Sequence, residues 1–295
     1  MDVHKYLIGL ITAVYLCACS GNAANKQVKY TRSVTAIPAS SGLNLKIPTS
    51  SNVFFRGEVC YDDAGQKAGG FLYPAPNVAG FLAAIATHAA ISNSINGSQK
   101  NSFQEKADAV LIPYKTVINR FSYQELADSG LKKLDLDQCG LVMSRTGDTD
   151  QPWTLESLPV FVLSQDKDSL ILQNSIAVYA AGSPASIVYK NMVQVISSPL
   201  AATDFEQYWS ANDGANLKNT SADLFADSMK IALNEIRKEG ASDENAYKTF
   251  HYQEGKNEKM ERGQLIATTC NRIVIRTLRG WIMSVPTKDE GACLR

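Results

Sequence analysis

LPVFVLSQDKDSLILQNSIAVYAAGSPASIVYKNMVQVIS, residues 158–197, is the stretch that decides the fold of this 295-residue chain. Three runs rich in Val, Ile and Leu lie within it, at 158–164, 169–179 and 186–197. Polar turn residues at 166–168 and 182–184 separate the runs. Runs rich in Val, Ile and Leu favour strands, and turns this short join strands that run in opposite directions. The stretch therefore predicts an antiparallel meander.

An amphipathic helix is predicted directly after the meander, over residues 215–239. Seven apolar or small residues recur there at the helical period and form one stripe: Leu217, Leu224, Phe225, Ser228, Ile231, Ala232 and Ile236. Arg237 and Lys238 suit the negative end of the helix dipole, and Gly240 is expected to end the helix. This stripe is the natural cover for one face of the meander.

The chain before the meander predicts a strand at 53–61 and a helix at 78–95, which is nearly all apolar or small. Small residues at helical spacing let backbones approach closely. We expect this helix to be buried or to face another subunit. A helix lying on or crossing a membrane is the alternative.

Two further helices are predicted from capping boxes, in which a serine bonds the third helical amide and a glutamate reaches back. Ser102 with Glu105 predicts a helix at 103–119, and Ser122 with Glu125 predicts one at 123–129. Pro113 is expected to kink or split the first helix because it lacks an amide hydrogen. Gly130 is expected to end the second.

The C-terminal part predicts an irregular, charged excursion at 242–263, followed by strands at 264–269, 272–278 and 281–285. Arg279 and Gly280 predict a tight hairpin turn between the last two. The elements together predict one α+β domain over residues 31–295. Its mostly antiparallel sheet packs on three or four helices.

The N-terminus carries a short apolar run, 6–16, preceded by Lys5 and followed by Leu16-Cys17-Ala18-Cys19. The run has the length of a signal-peptide core and is too short to span a bilayer. Residues 16–19 resemble a bacterial lipobox, the motif of envelope lipoproteins. The resemblance implies a signal peptide over 1–18 and a lipidated Cys19, with 19–30 as a flexible tether. Ser20 implies sorting to the outer membrane, facing the periplasm. An ordinary signal peptide is the alternative.

Charge gives no sign of a nucleic-acid partner, because 29 basic residues balance 29 acidic ones. Hydrophobic residues make up 45% of the chain, which is normal for a protein with a packed core. We found no nucleotide-binding, zinc-protease or serine-hydrolase motif, and we expect no cofactor.

Four cysteines remain if Cys17 leaves with the signal peptide and Cys19 is lipidated: Cys60, Cys139, Cys270 and Cys293. An even number in an oxidising compartment predicts disulfides, and four cysteines allow three connectivities. We favour Cys270 with Cys293, because these flank the C-terminal strands, and therefore Cys60 with Cys139. No metal-ligand spacing is present.

Candidate catalytic groups are few. His88 is expected to pack within an apolar helix, and His251 is expected to be exposed in the charged excursion. Paired carboxylates fall in predicted turns, where turn chemistry accounts for them: Asp62 and Asp63, Asp148 and Asp150, Asp166 and Asp168, Asp243 and Glu244.

Three arginines recur in the C-terminal strands, with Arg272 and Arg276 on one face by period-2 counting and Arg279 nearby. They are candidates for binding an anionic headgroup, whereas ion pairs along a wet sheet face are the simpler interpretation.

A second resemblance rests on Trp209-Ser-Ala-Asn-Asp-Gly214 before an amphipathic helix, and on an Ala/Gly-rich segment ending near Leu111-Ile-Pro113. Both are similar to segments of uncharacterised Gram-negative lipoproteins of TolB-N-terminal-like build. The resemblance implies a short strand leading through the turn into a helix on a mixed sheet, and an envelope accessory role. Read from the residues alone, 212–214 is a turn and Trp209 is core.

These observations favour a membrane-anchored envelope lipoprotein with a non-catalytic binding or accessory role in a periplasmic assembly. Its expected partners are the membrane, through the lipid anchor, and an envelope protein or a second copy of the chain. A periplasmic hydrolase and a carrier of a lipid or other apolar ligand are the alternatives.

Overall fold

The computed structural model describes residues 37–38, 41–48, 52–59, 98–134, 141–143, 151–181, 183, 187–238, 246–269 and 271–287. The described strands are β1 (Leu43–Lys46), β2 (Phe54–Gly57), β3 (Leu141–Met143), β4 (Trp153–Leu163), β5 (Leu170–Ala180), β6 (Ile187–Ile196), β7 (Lys248–Glu254), β8 (Asn257–Thr269), β9 (Arg272–Thr277) and β10 (Ile282–Pro286). The helices are α1 (Ser98–Ala107), α2 (Lys115–Ile118), α3 (Tyr123–Leu131) and α4 (Phe205–Arg237), with a 3₁₀ segment at Asp108–Tyr114.

The strands form a single ten-stranded sheet in the order β3-β1-β4-β5-β6-β10-β9-β8-β7, with β2 also paired to β4. The α+β class is confirmed, but a mostly antiparallel sheet was wrong. The sheet is mixed, because five pairings are antiparallel and four are parallel. The parallel contacts come from long connections, which the short-turn signals could not reveal. In the longest of these connections the chain runs from β6 through α4, β7, β8 and β9 to β10, which pairs with β6.

The meander β4-β5-β6 is antiparallel as predicted, and it forms the centre of the sheet. β4 starts at Trp153, five residues earlier than the sequence indicated, and pairs over its whole length with β5. The early part was missed because it contains Thr154 and Glu156, which are polar but nevertheless buried. β4 is therefore buried on both of its faces.

Pro159 lies in the middle of β4, where proline would normally interrupt a sheet because it cannot donate a hydrogen bond. The structure accommodates it at the gap between two neighbours, since β1 pairs with β4 up to Glu156 and β2 pairs from Val160. The Tyr123 hydroxyl bridges the gap: it donates to the Pro159 carbonyl at 3.0 Å and accepts from the Phe54 amide at 3.2 Å.

Of the two helices predicted from capping boxes, only one begins where its serine predicts. The Ser122 side chain accepts the Glu125 amide at 3.1 Å and starts α3 as predicted. Pro113 splits the preceding helix, also as predicted, and lies within the 3₁₀ segment. However, α1 begins at Ser98, so Ser102 is inside the helix and does not cap it.

Gly130 does not end α3, which continues to Leu131. A β-carbon at Gly130 would lie 2.6 Å from the Phe225 ring of α4, so glycine permits close packing of the two helices. The prediction of a helix stop was therefore wrong, because a contact between helices decides this position.

α4 presents the predicted stripe, of which Ile231 is half-buried and the other six residues are buried. Ser228 belongs in the stripe because its hydroxyl accepts a hydrogen bond from the Asn174 amide of β5 at 2.9 Å. The helix also starts earlier than predicted, at Phe205, and breaks where Asn212, Asp213 and Gly214 take left-handed backbone angles. The turn at 212–214 and the buried Trp209 are thus confirmed, while residues 205–210 form a helix and not a short strand.

The charged segment at 242–263 was predicted to be irregular, and this was wrong for its described part. Residues from Lys248 onward form the β7-β8 hairpin. The sheet curls at this end, so that β7 contacts β10 although β9 and β8 lie between them in strand order. Inside the curl lies a second, smaller apolar cluster, separate from the main core under the helices: Val162, Ile171, Ile196, Tyr252, Ile275, Met283 and Val285.

Candidate functional site

Arg272, the first of the candidate anion-binding arginines, is engaged within the protein. Its guanidinium donates to the backbone carbonyls of Ile196 at 2.6 Å and Ser284 at 2.9 Å, and also to the Ser284 hydroxyl. Burial lowers the pKa of Arg272, while the nearby Asp227 carboxylate opposes that shift. The side chain ties three strands together at the rim of the sheet.

Arg276 is likewise engaged within the protein, whereas Arg279 is exposed. The Arg276 guanidinium lies 2.7 Å from the Glu235 carboxylate of α4, a side chain that is 2% exposed. Arg279 lies over the Trp281 ring, 5.3 Å from its centroid. Arg272 and Arg276 lie four residues apart on β9 and contact different groups: Arg272 bonds to β6 and β10, and Arg276 pairs with Glu235 of α4. The structure therefore does not assemble the three into an anion site, and the ion-pair interpretation fits Arg276.

All six cysteines lie outside the described residues, so no pairing is tested. The predicted pairs, Cys270 with Cys293 and Cys60 with Cys139, therefore stay predictions.

His251, the histidine considered for catalysis, lies on β7 and is exposed as predicted. Its Nδ1 is 3.0 Å from the Glu258 carboxylate of β8, on the outer face of the hairpin. This is an exposed pair on two regular strands. His88 lies outside the described residues, as do three of the four carboxylate pairs: Asp62 and Asp63, Asp148 and Asp150, Asp243 and Glu244.

The remaining pair, Asp166 and Asp168, belongs to a cluster of carboxylates that the curled sheet brings together. Asp166 and Asp168 lie in the β4-β5 turn, Glu254 ends β7, and Glu58 follows β2. The negative charges of the three other carboxylates each raise the pKa of Glu58, so all three lie near it. We call these four residues the acidic junction.

The acidic junction is built where the tips of two hairpins meet. The Asp168 carboxylate accepts the Ser164 hydroxyl at 3.0 Å and the Lys256 amide at 2.8 Å, the latter from the β7-β8 turn. Gly255 makes this approach feasible, because its φ is +57° and a β-carbon there would lie 2.0 Å from the Asp168 carboxylate. The contact fastens the free end of the curl to the central meander.

The start of α4 packs against both turns. Asp204 caps the helix by accepting the Gln207 amide at 2.9 Å. The Trp209 indole donates to the Lys167 carbonyl at 2.6 Å, and Lys256 lies 4.9 Å from the centre of the Phe205 ring. The start of α4 and the two turns thus border the junction.

Burial is the main cause of the raised pKa values of two junction carboxyls. Desolvation raises the pKa of Glu58, and the charge of Glu254 raises it further. Desolvation also raises the pKa of Glu254, while Lys259, 3.5 Å away, opposes the shift. Two carboxyls with raised pKa values are suited either to donating protons or to responding to an added cation.

No local pattern in the sequence joins Glu58 and Glu254 to the Asp166–Asp168 turn. Residues 248–254, KTFHYQE, do alternate between apolar and polar around Phe250 and Tyr252, which is the signal of a half-buried strand. The density of charged residues around it concealed this pattern. The contact between the two hairpin tips depends on the curl of the sheet, which no local pattern encodes.

Within the described ranges, no group of three or more histidine, cysteine, aspartate or glutamate side chains is arranged to hold a metal ion. The same part of the chain contains no helix that is both long and apolar enough to cross a membrane. Comparison with known proteins adds no identity: no family model, no curated protein and no solved structure matches this chain.

Proposed function

We propose that this chain is a lipid-anchored protein of the bacterial cell envelope that acts by binding and not by catalysis. The observation that carries the proposal is the Leu16-Cys17-Ala18-Cys19 segment behind a short apolar run. Several acyl chains on one cysteine form a stable tether, whereas a single chain binds a membrane only marginally. Cys19 is the residue that we assign to lipidation.

The geometry supports a binding role because the charged groups considered for chemistry serve the fold. Arg276 holds α4 through Glu235, and Arg272 joins strand ends. Asp168 secures the tip of the β7-β8 hairpin. The hairpin itself leaves exposed side chains on β7 and β8, including His251 and Met260, and offers an accessible surface to a partner in the envelope.

The proposed location is the outer membrane, with the domain facing the periplasm and residues 19–30 as the tether. Ser20 after the lipidated cysteine supports this sorting through the lipobox resemblance. Disulfides among Cys60, Cys139, Cys270 and Cys293 would suit the oxidising periplasm.

Metabolic labelling with palmitate tests the anchor. We expect label in the wild-type protein and none in Cys19→Ser, since only a thiol at that position accepts the acyl chains. Cys17→Ser is the matched control, because residue 17 leaves with the signal peptide and its substitution should keep the label. An unlabelled wild-type protein, or equal labelling of Cys19→Ser, refutes lipidation at Cys19.

A second candidate, a periplasmic hydrolase, is favoured by one observation: Glu58 and Glu254 interact, and the pKa of each is raised. Pairs of carboxyls with shifted pKa values are the acid and base of many hydrolases. Turnover of chromogenic glycoside and ester substrates by the wild-type protein, abolished in Glu254→Gln, would establish this candidate over the binding role. The apolar-ligand carrier depended on residues 78–95, which lie outside the described residues.

A further inference from the structure

β7 is the last strand in the sheet order, and in the described part of the chain it pairs with β8 only. The outer edge of such a strand carries backbone donors and acceptors that can pair with another strand. Lys248, Thr249 and His251 are exposed, and Phe250 is half-buried at the rim of the smaller apolar cluster. The strand has the features of an edge that another strand can extend.

We propose that two copies of this chain associate through β7, as antiparallel strands related by a two-fold axis at His251. The interface deepens the proposed binding role by naming the partner as a second copy. A strand that pairs with itself must be complementary to its own reverse. Residues 248–254, KTFHYQE, meet that condition because lysine and glutamate occupy the two ends.

Once His251 lies opposite its own copy, the register fixes which residues of β7 lie opposite each other. Lys248 lies opposite the partner's Glu254, Thr249 opposite the partner's Gln253, and Phe250 opposite the partner's Tyr252. Directly opposed residues share a face of the sheet, and opposite charges or aromatic side chains in such pairs are stabilising. The same register therefore pairs opposite charges at both ends of the strand and aromatic side chains near its centre.

The charge at one end of β7 makes a second copy the specific occupant. Glu254 lies in the acidic junction with Glu58, Asp166 and Asp168, where Lys259 offsets the Glu254 charge. The proposed register brings the partner's Lys248 to this end of the strand. An ammonium group there is attracted by the surplus of negative charge, and the two-fold axis repeats the contact at the other end.

The apolar contact completes the interface. Phe250 packs against the cluster that contains Tyr252 and Met283, but it remains partly exposed to solvent at the edge of the sheet. The partner's Tyr252 and Phe250 would cover it and continue the cluster from one copy into the next. Removing apolar surface from water is favourable, so this coverage favours association.

Oxidative cross-linking of the full-length protein in isolated membranes tests the register. His251→Cys places two cysteines directly opposite, where opposed α-carbons lie about 4.5 to 5.5 Å apart and a disulfide can form. Thr249→Cys is the matched control, because two copies of residue 249 would be separated by four residues of strand, about 14 Å. We expect a dimer on a non-reducing gel for His251→Cys, above the wild-type background from native cysteines, and none for Thr249→Cys.

Charge reversal tests the acidic contact. Lys248→Glu in the His251→Cys background should abolish the dimer, since it adds a carboxylate to the acidic junction. Lys230→Glu, an exposed position on α4, should leave the dimer intact. Equal cross-linking at residues 251 and 249, a dimer that survives Lys248→Glu, or a His251→Cys adduct with a different protein overturns the proposal. Palmitate labelling is independent of these outcomes, so failure of the interface and failure of the anchor are distinguishable.

Discussion

The central meander and the β7-β8 hairpin belong to one sheet but are held in place in different ways. Most residues of the meander are buried, and α4 packs on it with Trp209, Phe225 and Met229 fully buried. The hairpin exposes most of β8 and is fastened at its tip by Asp168. Apolar packing holds the first region, whereas a polar contact and a small apolar cluster hold the second.

The difference explains which parts of the sequence were easy to interpret. A strand inside a core must be apolar, so the meander is visible in composition alone. A strand at the edge of a sheet has one wet face and often carries charges that discourage aggregation. β7 and β8 carry such charges and therefore resemble a solvated loop in sequence.

Trp209→Ala should produce the largest loss of stability, because it removes a fully buried ring and its hydrogen bond to the Lys167 carbonyl. We expect the free energy of unfolding to fall by about 3–5 kcal/mol. Denaturant unfolding followed by far-ultraviolet circular dichroism measures the change. Met260→Thr is the control in the hairpin, since Met260 is 65% exposed and its loss should stay within about 0.5 kcal/mol. A larger loss of stability for Met260→Thr than for Trp209→Ala would mean that packing in the hairpin matters more than packing against the meander.

Gly255→Ala should produce a smaller and more local effect. The φ of +57° costs about 1–2 kcal/mol for a residue with a β-carbon, and that carbon would displace the Asp168 carboxylate. We expect faster amide hydrogen exchange in β7 with little change in the central meander. Asn257→Ala, in the same turn, should leave exchange unchanged. Uniform acceleration across β4 to β6 would show that the two regions unfold together.

The pH dependence of stability should show the smallest effect, and it isolates the acidic junction. Burial raises the pKa values of Glu58 and Glu254 in the folded protein, so folding favours their protonated forms. Their contribution is fully present below the unfolded pKa near 4.5 and is lost as pH rises through the raised values. Relative to the wild type, Glu58→Gln/Glu254→Gln should lose less stability between pH 5 and pH 8 in the same denaturant experiment. An unchanged difference between the two pH values would mean that these carboxyls do not titrate as inferred.

Much of the fold was predictable from local patterns, and the failures share a cause. The meander, the stripe on α4, the Ser122 cap and the turn at Gly280 were all correct, because each depends on residues close together in sequence. The predicted helix stop at Gly130 and the predicted start of α1 were wrong, because packing between segments decides the structure there. The parallel pairings of β1 and β2 with β4 likewise join residues that are far apart in the chain.

The candidate site was predictable only in fragments. Asp166 and Asp168 were recognised as a turn, and the common face of Arg272 and Arg276 followed from the period of a strand. Glu58 and Glu254 were not recognised, because their importance depends on desolvation and on charges contributed by other segments. Neither quantity can be read from neighbouring residues.

The amino-acid sequence alone determined the antiparallel centre of the sheet, the amphipathic helix beside it and the expectation of an exported, lipid-anchored chain. These conclusions follow from apolar periodicity and short motifs, which act over a few residues. Tertiary structure decided the mixed sheet, its curl and the meeting of Asp168 with the Gly255 turn. Those features arise when distant segments bury apolar surface together. Charged groups on the same segments, such as Asp168, are then brought close to groups from other parts of the chain.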